Sequence, residues 1–215
     1  MTEPDDVTET RTAYDTVAED YAELLRDELA ANSYDRAMLG VFAEQVARAG
    51  GGLVGDLGCG PGRIAGYLAG LGLDVAGVDL SPRMVEVARR HYPGVRFEVG
   101  SMAALPFGGG QLAGALAWYS IIHTPDERQD ALFAEFARVT KPGGVLLLAF
   151  QAGLEVVHLT HAYGHDIDLR TRRQDPGRVK ERLQAAGFAP TAELVTAPVP
   201  PQKSPQAYVV ATRQI

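Results

Sequence analysis

Apolar residues recur at three- and four-residue spacing from Tyr14 to about Leu29 and again from Tyr34 to Ala47, which predicts helices ahead of any strand. The rhythm then changes to short apolar runs alternating with helical patterns. Leu53–Leu57 reads as a strand, Arg63–Leu71 as a helix, Asp74–Val78 as a strand, and Pro82–Arg90 as a helix capped by Ser81. Further strands are expected at Val95–Val99, Leu112–Trp118 and Val145–Phe150. Asp126–Val139 is a strongly amphipathic helix, closed by Lys141-Pro142-Gly143-Gly144. A helix at Asp175–Ala186 and strands at Thr191–Thr196 and Ala207–Thr212 complete the pattern, with Pro198, Pro200, Pro201 and Pro205 separating the last two.

This alternation predicts an α/β fold: a doubly wound, Rossmann-like sheet with helices on both faces, in which ligands bind beyond the carboxyl ends of the strands. At 215 residues, 46% of them hydrophobic, the chain suffices for a single domain and leaves no second one to place. A formal charge of -7 argues against broad attraction to nucleic acid or to an anionic membrane, so a small-molecule partner is expected. One cysteine excludes an internal disulfide framework, and no apolar run is long enough to span a bilayer. The acidic, polar start MTEPDDVTET does not resemble a signal peptide, and the expected compartment is the cytoplasm.

The chemistry concentrates at Asp56-Leu57-Gly58-Cys59-Gly60-Pro61-Gly62-Arg63, at the end of the first predicted strand. Its glycines allow backbone N–H groups to approach a ligand, and the following helix turns its positive end to the same place. A tight strand-to-helix turn without a ligand also favours glycine. The acids shift the balance. Asp56 lies in an otherwise apolar strand and needs a donor or a cationic ligand. Asp79 ends the second strand about twenty residues after the turn, where a carboxylate can accept both hydroxyls of a ribose. A nicotinamide dinucleotide site favours G-x-G-x-x-G, whereas the spacing here is Gly58-x-Gly60-x-Gly62 behind an acid.

DLGCGPGR, VAGVDLSPRMVEVA, the segment Gly100–Phe107, WYSIIH and VTKPGGVLLLAF together resemble the class I S-adenosylmethionine-dependent methyltransferases of the small bacterial type. The resemblance covers about residues 14 to 213 and implies a seven-stranded sheet with its last strand antiparallel. It implies a helical N-terminal lid over residues 1–48, a core over 49–215, and S-adenosyl-L-methionine as cofactor. Gly58, Cys59, Gly60, Pro61 and Gly62 would lie around the methionine part and ribose, Asp56 near the amino group, and Asp79 on the ribose hydroxyls. Leu80 and Met84 would sandwich the adenine with Met102 and Ala103. In many relatives the position of Ser101 is an aspartate that accepts a bond from the adenine amino group; a serine replaces it only in part. Trp118, Tyr119 and Ser120 would stand next to the sulfonium, and for Trp118 and Tyr119 ordinary core packing is the competing reading.

His123, just beyond the fourth strand, is a candidate base or substrate contact, with a purely structural histidine as the alternative. Tyr14 and Tyr21 match the lid helix of the family, and a helix face packed on the core would explain them equally. The stretch Gln151–Gln174 and the link Ala197–Pro205 are expected at the same mouth. His161 and His165 could share a metal on a helix, but the alternation through Arg170 argues for a strand that separates them, and no metal site is expected. Arg170, Arg172 and Arg173 could attract a carboxylate or phosphate, or form a solvated strand face. The expected activity is transfer of a methyl group to oxygen or nitrogen of a small molecule, of the kind met in secondary metabolism. A nicotinamide-dependent oxidoreductase and a cofactor-binding protein without transfer activity are the alternatives.

Overall fold

A computed structural model describes residues 4–198 and 203–215. The N-terminal helix α1, Asp5–Leu24, starts well ahead of Tyr14. Pro4 precedes it and Asp5 and Asp6 occupy its first turn, where negative charge complements the exposed N–H groups. It also stops before Leu29, so the expected single helix is broken. A one-turn helix α2, Glu28–Ala31, follows, and Asn32 then caps α3, Ser33–Arg48, by accepting from the Tyr34 and Asp35 amides at 3.1 and 3.2 Å. The break has a packing cause. Val17, Ala18 and Ala22 of α1 pack on one cluster while Leu29 joins the α3 cluster, and Leu24 between them is left 67% exposed.

Seven strands form one sheet in the order β3-β2-β1-β4-β5-β9-β8. They are β1 Val54–Leu57, β2 Val75–Asp79, β3 Arg96–Val99, β4 Leu112–Trp118, β5 Thr140–Gln151, β8 Phe188–Thr196 and β9 Gln206–Arg213. The first five run parallel, and β9 is antiparallel to both β5 and β8. Helices α4 Arg63–Gly70, α5 Pro82–His91, α6 Asp126–Val139 and α7 Pro176–Ala185 connect the strands, with Ser81 and Asp175 accepting amide bonds at the starts of α5 and α7. β6 Val156–Ala162 and β7 His165–Arg172 form a separate hairpin. Its two-residue turn, Tyr163-Gly164, has positive φ at both positions, the geometry that suits the twist of paired strands.

Two boundaries depart from the sequence expectation. Lys141-Pro142-Gly143-Gly144 does not close α6; the helix ends at Val139, and the tetrapeptide is a bulge inside β5, between the pairs Leu112↔Thr140 and Gly114↔Val145. β8 begins at Phe188, which is fully buried, and tolerates Pro190 because it is an edge strand with a bulge there. Of the stretch expected as a lid, α3 is a layer of the sheet: Leu39, Phe42 and Val46 are fully buried, and a Cβ on Gly114 would stand 2.6 Å from Val46. Only α1 lies over the carboxyl ends of the strands. Of the link Ala197–Pro205, residues 199–202 lie outside the described residues. No helix among the described residues is long and apolar enough to cross a membrane.

Candidate active site

The carboxyl ends of β1, β2 and β4 open into a cavity of about 1060 Å³, mouth included, roofed by α1. Its floor is the first turn after β1. Gly58 has φ +78, and a Cβ there would stand 2.4 Å from the Ser120 Cβ. Gly62, the residue before α4, has φ +82 and would push a Cβ to 2.8 Å from the Phe97 ring. At these two positions the chain's own side chains, not only a ligand, require glycine.

Asp79, last in β2, is the pivot. Its carboxylate accepts from the Gly60 N–H at 2.7 Å and from the Ser81 N–H at 2.8 Å, so it locks the β1 turn to the start of α5. Each oxygen keeps a lone pair for a ligand hydroxyl. Desolvation raises its pKa to about 6, opposed by those amides. Asp56 lies below, 1% exposed, with neither oxygen at hydrogen-bonding geometry to any described group. Burial first, and then the Asp79 charge, push its pKa up to about 7 against the Ala65 amide and the Arg63 guanidinium. Arg63 is the residue that the sequence reading passed over. One of its terminal nitrogens pairs with Glu28 at 2.8 Å, while the other is buried without a partner. Its charge acts on Asp56 and on the cavity tyrosines Tyr21 and Tyr119.

These shifts make a stability prediction. An aspartate in the unfolded chain titrates near about 3.9, so between that value and about 6 to 7 the folded state holds more protons at Asp79 and Asp56 than the unfolded one. Stability contributed by the pair therefore falls as pH rises from about 4 to about 7 and is level above. Urea unfolding of the ligand-free protein across that range would read it directly, and Asp56→Asn should flatten most of the decline.

Of the residues singled out in the sequence, Tyr14, Tyr21, Gly58, Gly60, Asp79, Leu80, Met84, Ser101, Met102, Ala103, Trp118, Tyr119, Ser120 and His123 line the cavity. Asp56, Cys59 and Pro61 do not. Cys59 turns its sulfur into the core, where a Cβ on Gly77 would meet it at 2.9 Å, and Pro61 is buried on the other side of the turn. Met84 is fully buried beneath Val17 and Ala18, so it packs against α1 as well as the cavity. The Ser101 hydroxyl already accepts from the Ala103 amide at 3.2 Å, which fixes the turn and leaves its proton to donate. Trp118 packs against Tyr208 with ring centroids 5.7 Å apart and planes tilted by 48°, and its Nε1 is buried without a partner among the described groups. Tyr119 has φ +54, the left-handed region that a tyrosine seldom adopts, at the point where β4 ends.

His123 sits in a short 3-10 turn, Ile121–His123. Its Nε2 accepts from the Tyr14 hydroxyl at 2.9 Å, and its Nδ1 faces the Arg170 carbonyl at 3.5 Å. Burial lowers its pKa to about 4, so the ring is neutral at ordinary pH. The hairpin β6–β7 thus backs His123, and His123 holds Tyr14. Helix α1 is fastened elsewhere too. Asp15 accepts from the Ser81 hydroxyl at 2.5 Å and from the Arg83 amide at 3.1 Å, Glu19 pairs with Arg90, Glu9 with Arg170, and Asp20 with His165. His161 and His158 pair across the hairpin with Asp166 and Asp168. Arg170 and Arg173 are held by Glu9 and Glu155.

The cavity also takes in Asp6, Val7, Thr10 and Arg11 of α1, and Arg128 and Leu132 of α6. The sequence does carry a signal for the first group: Val7, Thr10, Arg11 and Tyr14 recur at helical spacing on one face. Pro4-Asp5-Asp6 is an ordinary helix start.

Comparison with known proteins agrees with this architecture. A sequence profile of the methyltransferase domain matches residues 54–144. The chain is 38% identical over 101 residues to the O-methyltransferase cnsE of Penicillium expansum, covering 44% of this chain and 36% of that one. It is 33% identical over 138 residues to the malonyl-[acyl-carrier protein] O-methyltransferase of Enterobacter lignolyticus, covering 64% and 52%. The match thus spans about half, or less, of the length of these relatives. Among solved structures, magnesium protoporphyrin IX methyltransferase from Synechocystis PCC 6803 with bound S-adenosylmethionine superposes with a TM-score of 0.75 at 20% identity over 100% of both chains. By its methyltransferase profile over residues 54–144 and by its sheet order, the chain is similar to the class I S-adenosylmethionine-dependent methyltransferases.

Proposed function

We propose that this protein is an S-adenosylmethionine-dependent methyltransferase acting on oxygen or nitrogen of a small molecule. The observation that carries the reading is Asp79 on the cavity wall beside the glycine turn, its carboxylate fixed by the Gly60 and Ser81 amides with a lone pair left on each oxygen. Below that turn, outside the cavity lining, the Asp56 carboxylate has no hydrogen-bond partner among the described groups and would attract a cationic amino group held in the turn, directly or through water. A nicotinamide dinucleotide offers no ammonium group. Asp79 suits the ribose hydroxyls, and Leu80, Met102 and Ala103 suit the faces of a purine. When bound, the cofactor supplies a methyl group made electrophilic by its sulfonium. The chain's part is to orient the acceptor and exclude water, which for a well-positioned displacement can supply about 7–11 kcal/mol. Titration with S-adenosylmethionine and, separately, with NAD tests the cofactor; methyl release over a panel of hydroxylated and aminated acceptors tests the transfer. Binding of NAD alone would refute the reading, and cofactor binding with no turnover on any acceptor would leave a binding protein.

The two carboxylates set a pH dependence. Asp56 and Asp79 must be ionised to receive an ammonium and two hydroxyls, and they ionise at about 7 and about 6 in the free protein. Affinity should therefore climb from pH 5.5 to about 8, each carboxylate contributing at most about tenfold per pH unit below its pKa. Calorimetry at several pH values reads it, and an affinity that is flat over this range would count against both acids.

For His123, the geometry favours a positioning role over a base. Its free lone pair is taken by Tyr14, and a pKa of about 4 makes it a weak proton acceptor. His123→Ala should lower turnover by less than the general-base range of about 10²–10⁴, and Tyr14→Phe should reproduce the loss. Neither change should alter the pH profile above 5. An activity limb near neutrality that disappears in His123→Ala would instead make it the base.

A further inference from the structure

We infer that the outer end of the cavity is a carboxylate subsite for the acceptor molecule, built on Arg128 and held shut by Asp6 until an acceptor carboxylate takes its place. The inference rests on the methyl-transfer reading for the word acceptor, but its physical content is a binding site. Arg128 comes from the first turn of α6 and Asp6 from the first turn of α1, and they form an ion pair across the mouth. The pair is substantially withdrawn from water, with side chains 32% and 25% exposed. Around it the lining is apolar, from Val7, Ala131 and Leu132.

The charge balance at this end is uneven. Arg128 lines it, and its pKa is lowered, first by desolvation and then by the nearby Arg172 charge. Arg172 donates to the His123 carbonyl at 3.4 Å and meets no carboxylate among the described residues. Glu9, one turn further along α1, is engaged by Arg170. Among the described residues, Asp6 is the carboxylate seen paired with Arg128. A partly buried guanidinium binds an anion in preference to a neutral group, and its planar fork matches a carboxylate, the kind of group that now occupies it.

Exchange of one carboxylate for another costs little. Arg128 is never left desolvated and unpaired, which would be the expensive state. Asp6 lies in the first turn of its helix, and a side-chain rotation can carry its carboxylate to water without moving the rest of α1. Asp15, Glu19 and the Val17–Ala22 face would still hold the lid. An acceptor with an apolar body and a terminal carboxylate fits this end, and one with a terminal ammonium is disfavoured.

The test uses the full chain with 4-butylbenzoate as probe and 4-butylbenzamide as its neutral counterpart, at constant ionic strength, by calorimetry. The benzoate should bind at least about tenfold more tightly than the amide, the size of one charge-assisted hydrogen bond. Arg128→Gln should abolish that preference. Asp6→Asn removes the resident competitor and should tighten benzoate binding several-fold, a gain that a damaged fold would not produce. Equal affinity for the two probes, no benzoate binding at millimolar concentration, or weaker binding by Asp6→Asn would each overturn the inference. Cofactor titration is a separate experiment that touches neither residue, so a protein that binds the benzoate as expected but not S-adenosylmethionine would sink the transfer reading and keep the subsite.

Discussion

Asp79→Ala is expected to weaken S-adenosylmethionine binding by about a hundredfold or more. A hydrogen bond to a charged group is worth about 1.5–3 kcal/mol, and the carboxylate is positioned to accept one from each ribose hydroxyl, so about 3 kcal/mol is the lower bound. A second loss adds to it. The same carboxylate holds the Gly60 and Ser81 amides at 2.7 and 2.8 Å, so alanine also releases the β1 turn from the start of α5. Asp79→Asn separates the two effects: its amide oxygen can keep one backbone bond, but its NH2 faces the other N–H donor. It should fall between wild type and alanine in affinity and in melting temperature. Calorimetry with S-adenosylmethionine and with S-adenosylhomocysteine reads the outcome. Affinity unchanged in the alanine variant would remove Asp79 from the site, whatever its effect on folding.

The residues that the sequence made legible are those whose signal is local. Asp79, Ser81 and the turn from Asp56 to Gly62 sit where strand, turn and helix follow each other within a few residues, so spacing alone places them at a strand end. The misread segments depend on partners distant in the chain. Lys141-Pro142-Gly143-Gly144 has the composition of a helix stop, and only its pairing with β4 shows that it is a bulge. Arg63 looks like any charged residue opening a helix, until Glu28 engages one side of its guanidinium and burial strands the other. Asp15 is an unremarkable acid on an amphipathic helix, yet it doubles the cap of α5 from 66 residues away. His123 was legible as a cavity residue but not as a weak base, because the burial that depresses its pKa comes from α1 and the hairpin packed over it.

Gly58→Ala should destabilise the protein by about 2–5 kcal/mol and abolish measurable cofactor binding. One part of this cost is conformational: at φ +78 an alanine sits in the left-handed region, at about 1–2 kcal/mol. The other is steric. The new Cβ would stand 2.4 Å from the Ser120 Cβ, and overpacking of a buried contact costs about 1–3 kcal/mol. Ser120 cannot simply move aside, because its hydroxyl donates to the Leu57 carbonyl at 2.7 Å and ties the end of β4 to β1. The double variant Gly58→Ala with Ser120→Gly isolates the clash: it removes the opposing Cβ, gives up that one hydrogen bond at about 1 kcal/mol, and leaves the backbone strain in place. If the contact dominates, the double variant should lose clearly less stability than the sum of the two single changes. If instead the losses add, the clash is relieved by relaxation and φ alone demands the glycine. A Gly58→Ala protein with wild-type stability and affinity would mean that neither the turn nor the close approach to Ser120 constrains this position.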